Sequence, residues 1–324
     1  MIDCTPLDSE NIEKMVNGVK RNTWMKYFME NHFASSGWID FEKEVAEVIG
    51  VFRCMIVRLN SKLEENGEPA YVEEIDVSRG DYIVLMQNAF QKFFDEVSGW
   101  HALRTEYYNT KGFANEKIYC SVNEKKIAMK LYQDLEDLIG ILDWYITEFI
   151  QKIAVNTQSR NQLFAKCQRV INFNYTNTFS ALYDKQNERD IFYVHGSAQD
   201  DNMVLGINDD ETDQLGSLNL SFVEFKKYYQ RTFKHTDYDY DKILPNGGGY
   251  RLHFVGHSMD ITDQDILKLL ITDKKTSGSI IYYHDEASHR QLIMNVIALF
   301  GKDKFEQLKR EHKISFKQLG PFEG

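Results

Sequence analysis

Three short polar motifs, each directly after an apolar strand-like run, constrain this 324-residue chain more than any other feature. They occupy residues 172–178, 193–196 and 254–260, and read Asn-Phe-Asn-Tyr-Thr-Asn-Thr, Tyr-Val-His-Gly and Phe-Val-Gly-His-Ser-Met-Asp. In an open sheet of parallel strands, the carboxyl ends of the strands face a common crevice. The pattern therefore predicts that three polar strand ends form one shared site.

The hydrophobic periodicity differs between the two halves of the chain. Apolar residues three or four apart predict amphipathic helices over residues 41–59, 82–97 and 127–153. A heptad-like spacing of this length could also mark a coiled coil, but the aromatic-rich faces favour packing on another layer. We therefore predict a largely helical region over residues 1–155.

Beyond residue 156 the pattern changes to short runs of β-branched and aromatic residues. These runs predict strands over residues 168–173, 191–194, 203–207, 252–255 and 279–283. Helical patterns lie between several of them, over residues 222–233, 262–271 and 287–300. Alternating strands and helices predict an α/β domain with a mainly parallel sheet over residues 156–324.

Composition limits the classes of protein to which the chain can belong. Acidic residues outnumber basic residues by 49 to 38, which argues against a broad nucleic-acid footprint. The four cysteines lie far apart without a Cys-x-x-Cys pair, which fits free thiols in a reducing cytosol. The first residues do not form a secretory signal, and no apolar run reaches the length of about 18 residues that a membrane span needs. We expect a cytoplasmic protein.

The first motif offers an asparagine amide at a strand end. Asn174 can both donate and accept hydrogen bonds, which suits it to hold a ribose hydroxyl or to position a water molecule. Thr176 suits the N-cap of a following helix, whose amino end would attract an anion, with Asn177 beside it. The alternative is that Asn174 and Asn177 only cap and turn the chain.

The second motif supplies a histidine. The near-neutral pKa of a histidine such as His195 makes it a natural general base, and Gly196 allows close approach of backbone or ligand. A lone histidine at a strand end is more often structural. Because the strand end that carries His195 is expected to lie beside two other polar strand ends, a functional role of His195 is favoured.

The third motif has two interpretations. Residues 256–260 resemble the nucleophile elbow of α/β-hydrolases with Ser258 as nucleophile, followed by Asp285 and His289, but Asp260 stands where that elbow needs a small residue. In the other interpretation Gly256 and Ser258 line a nucleotide pocket through backbone amides and a hydroxyl, and His257 and Asp260 of the same turn also contact the nucleotide. Asp260, Asp263 and Asp265 then cap the next helix.

Residues 284–286 read His-Asp-Glu and lie close to His289, and side chains of these types bind divalent ions. Their spacing matches no metal site. A strand end that runs into a helix with acidic first-turn residues explains them, so we expect no metal.

Several motifs, taken together and in order, carry a resemblance to a known family. They occupy residues 24–28, 38–42, 173–178, 194–196, 205–209, 256–260, 262–263 and 281–284. In this combination the chain resembles the AbiH family of bacterial phage abortive-infection proteins. The resemblance covers nearly the whole chain.

That family is in turn distantly similar to sirtuin-type domains, in which an Asn-Tyr-Asp or Asn-Ile-Asp turn and a His-Gly strand end line the NAD pocket. The likeness implies a Rossmann-like fold, with Asn174 in the place of the catalytic asparagine and His195 in the place of the general base. It implies hydrolysis of NAD between nicotinamide and ribose, which starves the infected cell.

Members of the family usually begin with an apolar strand followed by Gly-Asn-Gly-Phe-Asp, a loop expected to contact the dinucleotide phosphates. This chain begins Met-Ile-Asp without it. We therefore expect either an incomplete site or a different strand in the place of the missing one, and a shortened gene product or start-site assignment as the cause.

Two further functions stay open beside an NAD-consuming effector. One is a noncatalytic nucleotide-binding or interaction module that senses infection, and the other is a serine hydrolase that uses Ser258. We expect a nucleotide or dinucleotide ligand and a phage-derived trigger, and neither nucleic acid nor membrane as partner. A homo-oligomer stays open.

Overall fold

A computed structural model describes most of the chain. The described residues are 9–31, 40–50, 52–53, 108–114, 117–122, 124–152, 162–184, 188–208, 220–236, 243–244 and 249–320. The chain divides into two compact units, a helical unit of residues 4–148 and 205–230 and an α/β unit of residues 1–3, 149–204 and 231–324. No helix among the described residues is long and apolar enough to cross a membrane.

The elements alternate between helices and strands in the second half of the sequence. The helices are α1 (Ser9–Arg21), α2 (Thr23–Asn31), α3 (Glu124–Tyr145), α4 (Gln162–Ala165), α5 (Thr178–Tyr183), α6 (Lys227–Phe233), α7 (Gln264–Thr272), α8 (Glu286–Phe300) and α9 (Lys302–Arg310). Residues 41–50 are also helical, Ile146–Ile150 is a π-helix, and Leu220–Phe225 and Ile261–Asp263 are 3-10 helices. The strands are β1 (Tyr108–Ala114), β2 (Lys117–Val122), β3 (Arg169–Asn172), β4 (Asp190–Tyr193), β5 (Tyr250–Phe254), β6 (Thr276–Tyr283) and β7 (Ile314–Gln318).

The helical unit buries apolar side chains at helical spacing. Its largest fully buried side chains include Trp24, Phe28, Phe52, Phe225, Ile127, Leu131, Leu135 and Leu138. The Trp24 indole N–H donates to the Leu131 carbonyl oxygen over 3.0 Å, so the polar atom of this buried ring is satisfied. The predicted helices are confirmed over residues 41–50, 52–53 and 127–150, and residues 151–152 form a turn. Residues 51, 54–59, 82–97 and 153 lie outside the described part of the chain.

The α/β unit contains two parallel ladders. Strand β3 pairs with β4, and β6 lies between β5 and β7. Ile266 and Leu270 of α7 pack with Ile171 of β3 and Leu252 of β5 in one hydrophobic cluster, so this helix covers strands of both ladders. The predicted α/β class with parallel strands is confirmed.

One predicted strand is wrong. Residues 203–206 are not in a strand, and Ile207 forms only an isolated bridge with Lys226. The side chain of Gln230 accepts from the Leu205 backbone N–H over 3.0 Å and donates to the Leu205 carbonyl over 3.1 Å. A buried side-chain amide therefore takes the place of a neighbouring strand for Leu205.

Tyr250, the first residue of β5, links that strand to the end of α7. Its hydroxyl donates to Asp273 over 2.9 Å, and burial together with the adjacent Asp273 carboxylate raises the pKa of the Tyr250 phenol from 10.0 to about 12. Because the folded state holds this proton more tightly, the contribution of Tyr250 to stability is complete below the unfolded pKa and is lost as pH rises through the folded value.

We expect Tyr250→Phe to lose less stability than the parent when the pH is raised. The measurement is the free energy of urea unfolding at about pH 8 and about pH 11. An equal alkaline loss in the variant and the parent would contradict this.

Candidate functional site

The residues after β3, β4 and β5 meet in the α/β unit. The ring of Phe173, after β3, lies edge-on to the ring of His257, after β5, with 4.3 Å between the ring centroids. The same phenyl ring lies 5.8 Å from the ring of His195, after β4. The predicted convergence of the three polar strand ends is confirmed.

A carboxylate joins the two histidines. His195 Nε2 lies 2.8 Å from Asp263 Oδ1, a hydrogen-bonding distance, and His257 Nε2 lies 3.4 Å from Asp263 Oδ2, a longer and weaker contact. The three side chains are only 6%, 13% and 11% exposed for His195, Asp263 and His257. We call these three residues the histidine–aspartate cluster.

The contacts of the rings indicate which nitrogens carry protons. The Met259 backbone N–H donates to His257 Nδ1 over 2.9 Å, so this nitrogen is an acceptor and Nε2 of the neutral ring carries the proton. A carboxylate only accepts, so the His195 nitrogen that faces Asp263, Nε2, carries a proton as well. In a neutral His195 the lone pair is therefore on Nδ1.

The capping role predicted for the Asp263 side chain is wrong. Asp263 stands at the N-cap position of α7 as expected, but its side chain makes no capping hydrogen bond and contacts the two histidines instead. Asp260 does cap, because its Oδ1 accepts from the Thr262 N–H over 3.2 Å. Asp265 pairs with Arg231 at 2.5 Å. The available sequence signal was an acidic residue three positions after the third polar motif, which the capping rule already explained.

Asn174 lies in the turn after β3. Asn172, which is buried, accepts from the Asn174 backbone N–H over 3.0 Å and from its side-chain amide over 3.3 Å. The Asn174 side chain is exposed, and among the described residues its hydrogen bond goes to Asn172 and not to His195. The two residues predicted as catalytic therefore belong to neighbouring turns without a direct bond between their side chains.

The predicted N-cap at Thr176 is wrong. Helix α5 begins at Thr178, its N-cap is Asn177, and that side chain makes no capping bond. The Thr176 hydroxyl instead contacts the Thr178 hydroxyl over 2.8 Å. The helix begins later than predicted. The Asn172 side-chain amide donates to the Thr176 carbonyl over 3.2 Å and so stabilises the turn that precedes the helix. This helix has only six residues.

Gly196 has a positive φ of 74°, which glycine adopts readily. A Cβ at this position would lie 2.1 Å from the Asn202 carbonyl oxygen. The Asn202 side-chain oxygen also accepts from the Ser197 N–H over 2.9 Å. The close approach expected at Gly196 is therefore made by the protein's own backbone.

The turn of residues 256–260 is exposed at Gly256 and Ser258 and buried at Met259. Met259 has a φ of 58°, a left-handed conformation that costs a residue with a side chain about 1–3 kcal/mol. Its N–H bond to His257 and its buried side chain hold it there. The residue of this turn with a strained backbone is therefore Met259, the neighbour of Ser258, and not Ser258 itself.

The contacts of Ser258, Asp285 and His289 are not those of a hydrolase triad. Ser258 Oγ accepts from the Asp260 N–H over 3.3 Å, and Asp285 forms a capping box with Ser288 at the start of α8. The His289 ring stacks on Tyr283 with 4.0 Å between centroids. Within the described ranges, none of these contacts joins Ser258 to a histidine, so nothing supports the hydrolase interpretation.

The acidic and histidine side chains at the start of α8 have local partners too. Asp285 caps the helix, Glu286 pairs with Arg290 at 2.5 Å, and His289 is stacked as described. In the part of the chain that the structure describes, no group of three or more His, Cys, Asp or Glu residues is arranged to hold a metal ion.

Comparison with known proteins gives one match. A family model described as bacteriophage abortive infection AbiH matches residues 10–284, which include every residue of the histidine–aspartate cluster. No curated protein and no solved structure is similar enough to this chain to count as a match. The match covers most of the chain, and the chain belongs to the AbiH family of bacteriophage abortive infection proteins.

Proposed function

We propose that this chain is an abortive-infection effector that hydrolyses NAD between nicotinamide and ribose, with His195 as general base in a Rossmann-like nucleotide site. Membership of the AbiH family supports a role in abortive infection. The observation that carries the catalytic part is the buried pair of His195 and Asp263, 2.8 Å apart, beyond the carboxyl end of a parallel strand. Ligands of open α/β sheets bind at such strand ends.

The proposed reaction needs one proton acceptor. Water attacks C1′ of the nicotinamide ribose, the bond from C1′ to the ring nitrogen breaks, and its electron pair leaves with neutral nicotinamide. His195 Nδ1 takes the proton of the attacking water, because Nε2 faces Asp263. Asp263 stabilises the imidazolium that forms.

Asn174 is proposed to hold the ribose or the water. Its side-chain N–H donates to Asn172, which orients the amide of this exposed residue, and the amide oxygen can accept a hydrogen bond. The proximity of Phe173 and Tyr175, whose rings lie 5.8 and 6.4 Å from the His195 ring, makes the position of Asn174 compatible with a substrate between the two turns.

The turn at residues 256–260 supports a dinucleotide at this position. Gly256 is exposed with a φ of 68°, and no atom lies within 4 Å of the place that a Cβ would take. A ligand phosphate or ribose can therefore approach the backbone beside His257, and the exposed Ser258 hydroxyl is a second polar group for it.

The test is release of nicotinamide and ADP-ribose from NAD by the purified full chain, quantified by mass spectrometry. We expect His195→Ala to lower turnover by about 100-fold or more, the usual range for a general base, without changing the melting temperature in proportion. Asn174→Ala should lower it by about 10-fold or more. Loss of phage protection in cells should follow the loss of turnover.

His284→Ala is the matched control, because His284 is an exposed histidine at another strand end. It should keep parental turnover and phage protection. Equal nicotinamide release by the parent and the His195→Ala protein, or no release by the parent in extracts of infected cells, would contradict the proposal.

The bond between the side chains of Asn174 and Asn172 favours a second candidate, a noncatalytic module that binds a nucleotide and senses infection. In that case NAD should raise the melting temperature of the parent while NAD is recovered intact. Measurable turnover would reject it.

A further inference from the structure

We infer that Asp263 is a positioning residue for the reaction proposed at this site, holding the rings of His195 and His257 in fixed tautomers so that His195 Nδ1 is the proton acceptor. The catalytic part of this inference rests on the proposed function. The tautomer part rests on contacts alone.

Both carboxylate oxygens of Asp263 face an imidazole. Oδ1 lies 2.8 Å from His195 Nε2, and Oδ2 lies 3.4 Å from His257 Nε2. An ionised carboxylate can accept from both rings at once, whereas an amide of the same shape offers one acceptor and one donor. With His257 held by the Met259 N–H, the identity of residue 263 therefore decides which nitrogen of His195 carries the proton.

The position of Asp263 favours its ionised form although it is buried. Its carboxylate stands at the amino end of α7, a nine-residue helix whose macrodipole stabilises negative charge there. An N-cap aspartate ordinarily accepts from the first turn of its own helix, a bond worth about 1 kcal/mol. Asp263 does not make that bond and contacts the two histidines instead. This arrangement fits a side chain whose role is to orient the rings.

The tautomer of His257 is fixed by a contact outside the cluster. Its Nδ1 accepts from the Met259 N–H, so its ring cannot reverse its tautomer without leaving a buried backbone donor without a partner. Phe173 packs edge-on against the same ring at 4.3 Å. When residue 263 changes, His257 therefore keeps its tautomer.

Nitrogen NMR of the full chain labelled with ¹⁵N-histidine tests the tautomers directly. We expect the parent to show both His195 and His257 protonated on Nε2 at neutral pH, with the signals assigned by their loss in His195→Ala and His257→Ala. In Asp263→Asn the single amide oxygen serves one ring, so His257 should keep its tautomer while His195 moves its proton to Nδ1. A parent spectrum with His195 protonated on Nδ1, or Asp263→Asn spectra in which both tautomers persist, would overturn the inference.

The activity arm uses Asp285→Asn as control, since Asp285 is an exposed aspartate at the N-cap of α8, where it accepts from the Ser288 N–H over 2.7 Å. We expect Asp263→Asn to lower kcat for NAD by about 10-fold or more with KM little changed, and Asp285→Asn to keep kcat within about twofold. Parental kcat in Asp263→Asn would overturn the positioning role. Absence of NAD turnover by the parent contradicts the proposed function and not the tautomers, which the spectra report separately.

Discussion

We expect Gly196→Ala to destabilise the α/β unit by about 4 kcal/mol, more than any other single exchange of glycine for alanine in the described turns. Two costs add. The φ of 74° is unfavourable for alanine by about 1–2 kcal/mol, and the new Cβ would lie 2.1 Å from the Asn202 carbonyl oxygen and 2.7 Å from its carbon. The backbone after His195 would have to move, so the histidine–aspartate cluster should be disturbed as well. Urea unfolding of the full chain measures the loss.

Gly301→Ala is a matched control for this prediction. Gly301 has the same φ of 74°, but no atom lies within 4 Å of the position of its Cβ. It should lose only the conformational part, about 1–2 kcal/mol. Similar losses in both variants would show that the contact with Asn202 relaxes without cost.

Glu42→Ala is expected to destabilise the helical unit by about 3 kcal/mol. Glu42 Oε2 lies 2.7 Å from the Lys227 ammonium nitrogen, and the lysine side chain is only 1% exposed. Removal of the carboxylate deprives a buried ammonium group of an ion-pair partner, and breaking a buried pair from one side is strongly destabilising. The measurement is again the free energy of urea unfolding.

Two comparisons separate this buried pair from ordinary surface charge. Glu47→Ala removes an exposed carboxylate from the same helical segment and should change stability by less than about 0.5 kcal/mol. Glu42→Leu combined with Lys227→Met removes both charges and should recover most of the loss. A loss of 3 kcal/mol that persists in the double variant would show that the cost is packing and not charge.

The sequence predicted the strands of the candidate site well because the periodicity of strands and helices is local. Residues 168–173, 191–194, 252–255 and 279–283 all overlap observed strands, and α8 begins one residue from its predicted start. It failed at residues 203–207, an apolar run in which both backbone polar groups of Leu205 bond to the side chain of Gln230 instead of to a neighbouring strand. It also failed to predict the hairpin of β1 and β2, helix α9 and strand β7.

The sequence alone determined which polar side chains stand at the strand ends. It also predicted that Asn174, His195 and the turn of residues 256–260 lie together, because parallel strand ends share a crevice. Tertiary structure alone decided the partner of each side chain. Asp263 could cap its helix or face the histidines, and residues 68 positions apart in sequence had to meet before one choice was preferred. Capping is a local property, whereas a contact between His195 and Asp263 depends on how the elements pack.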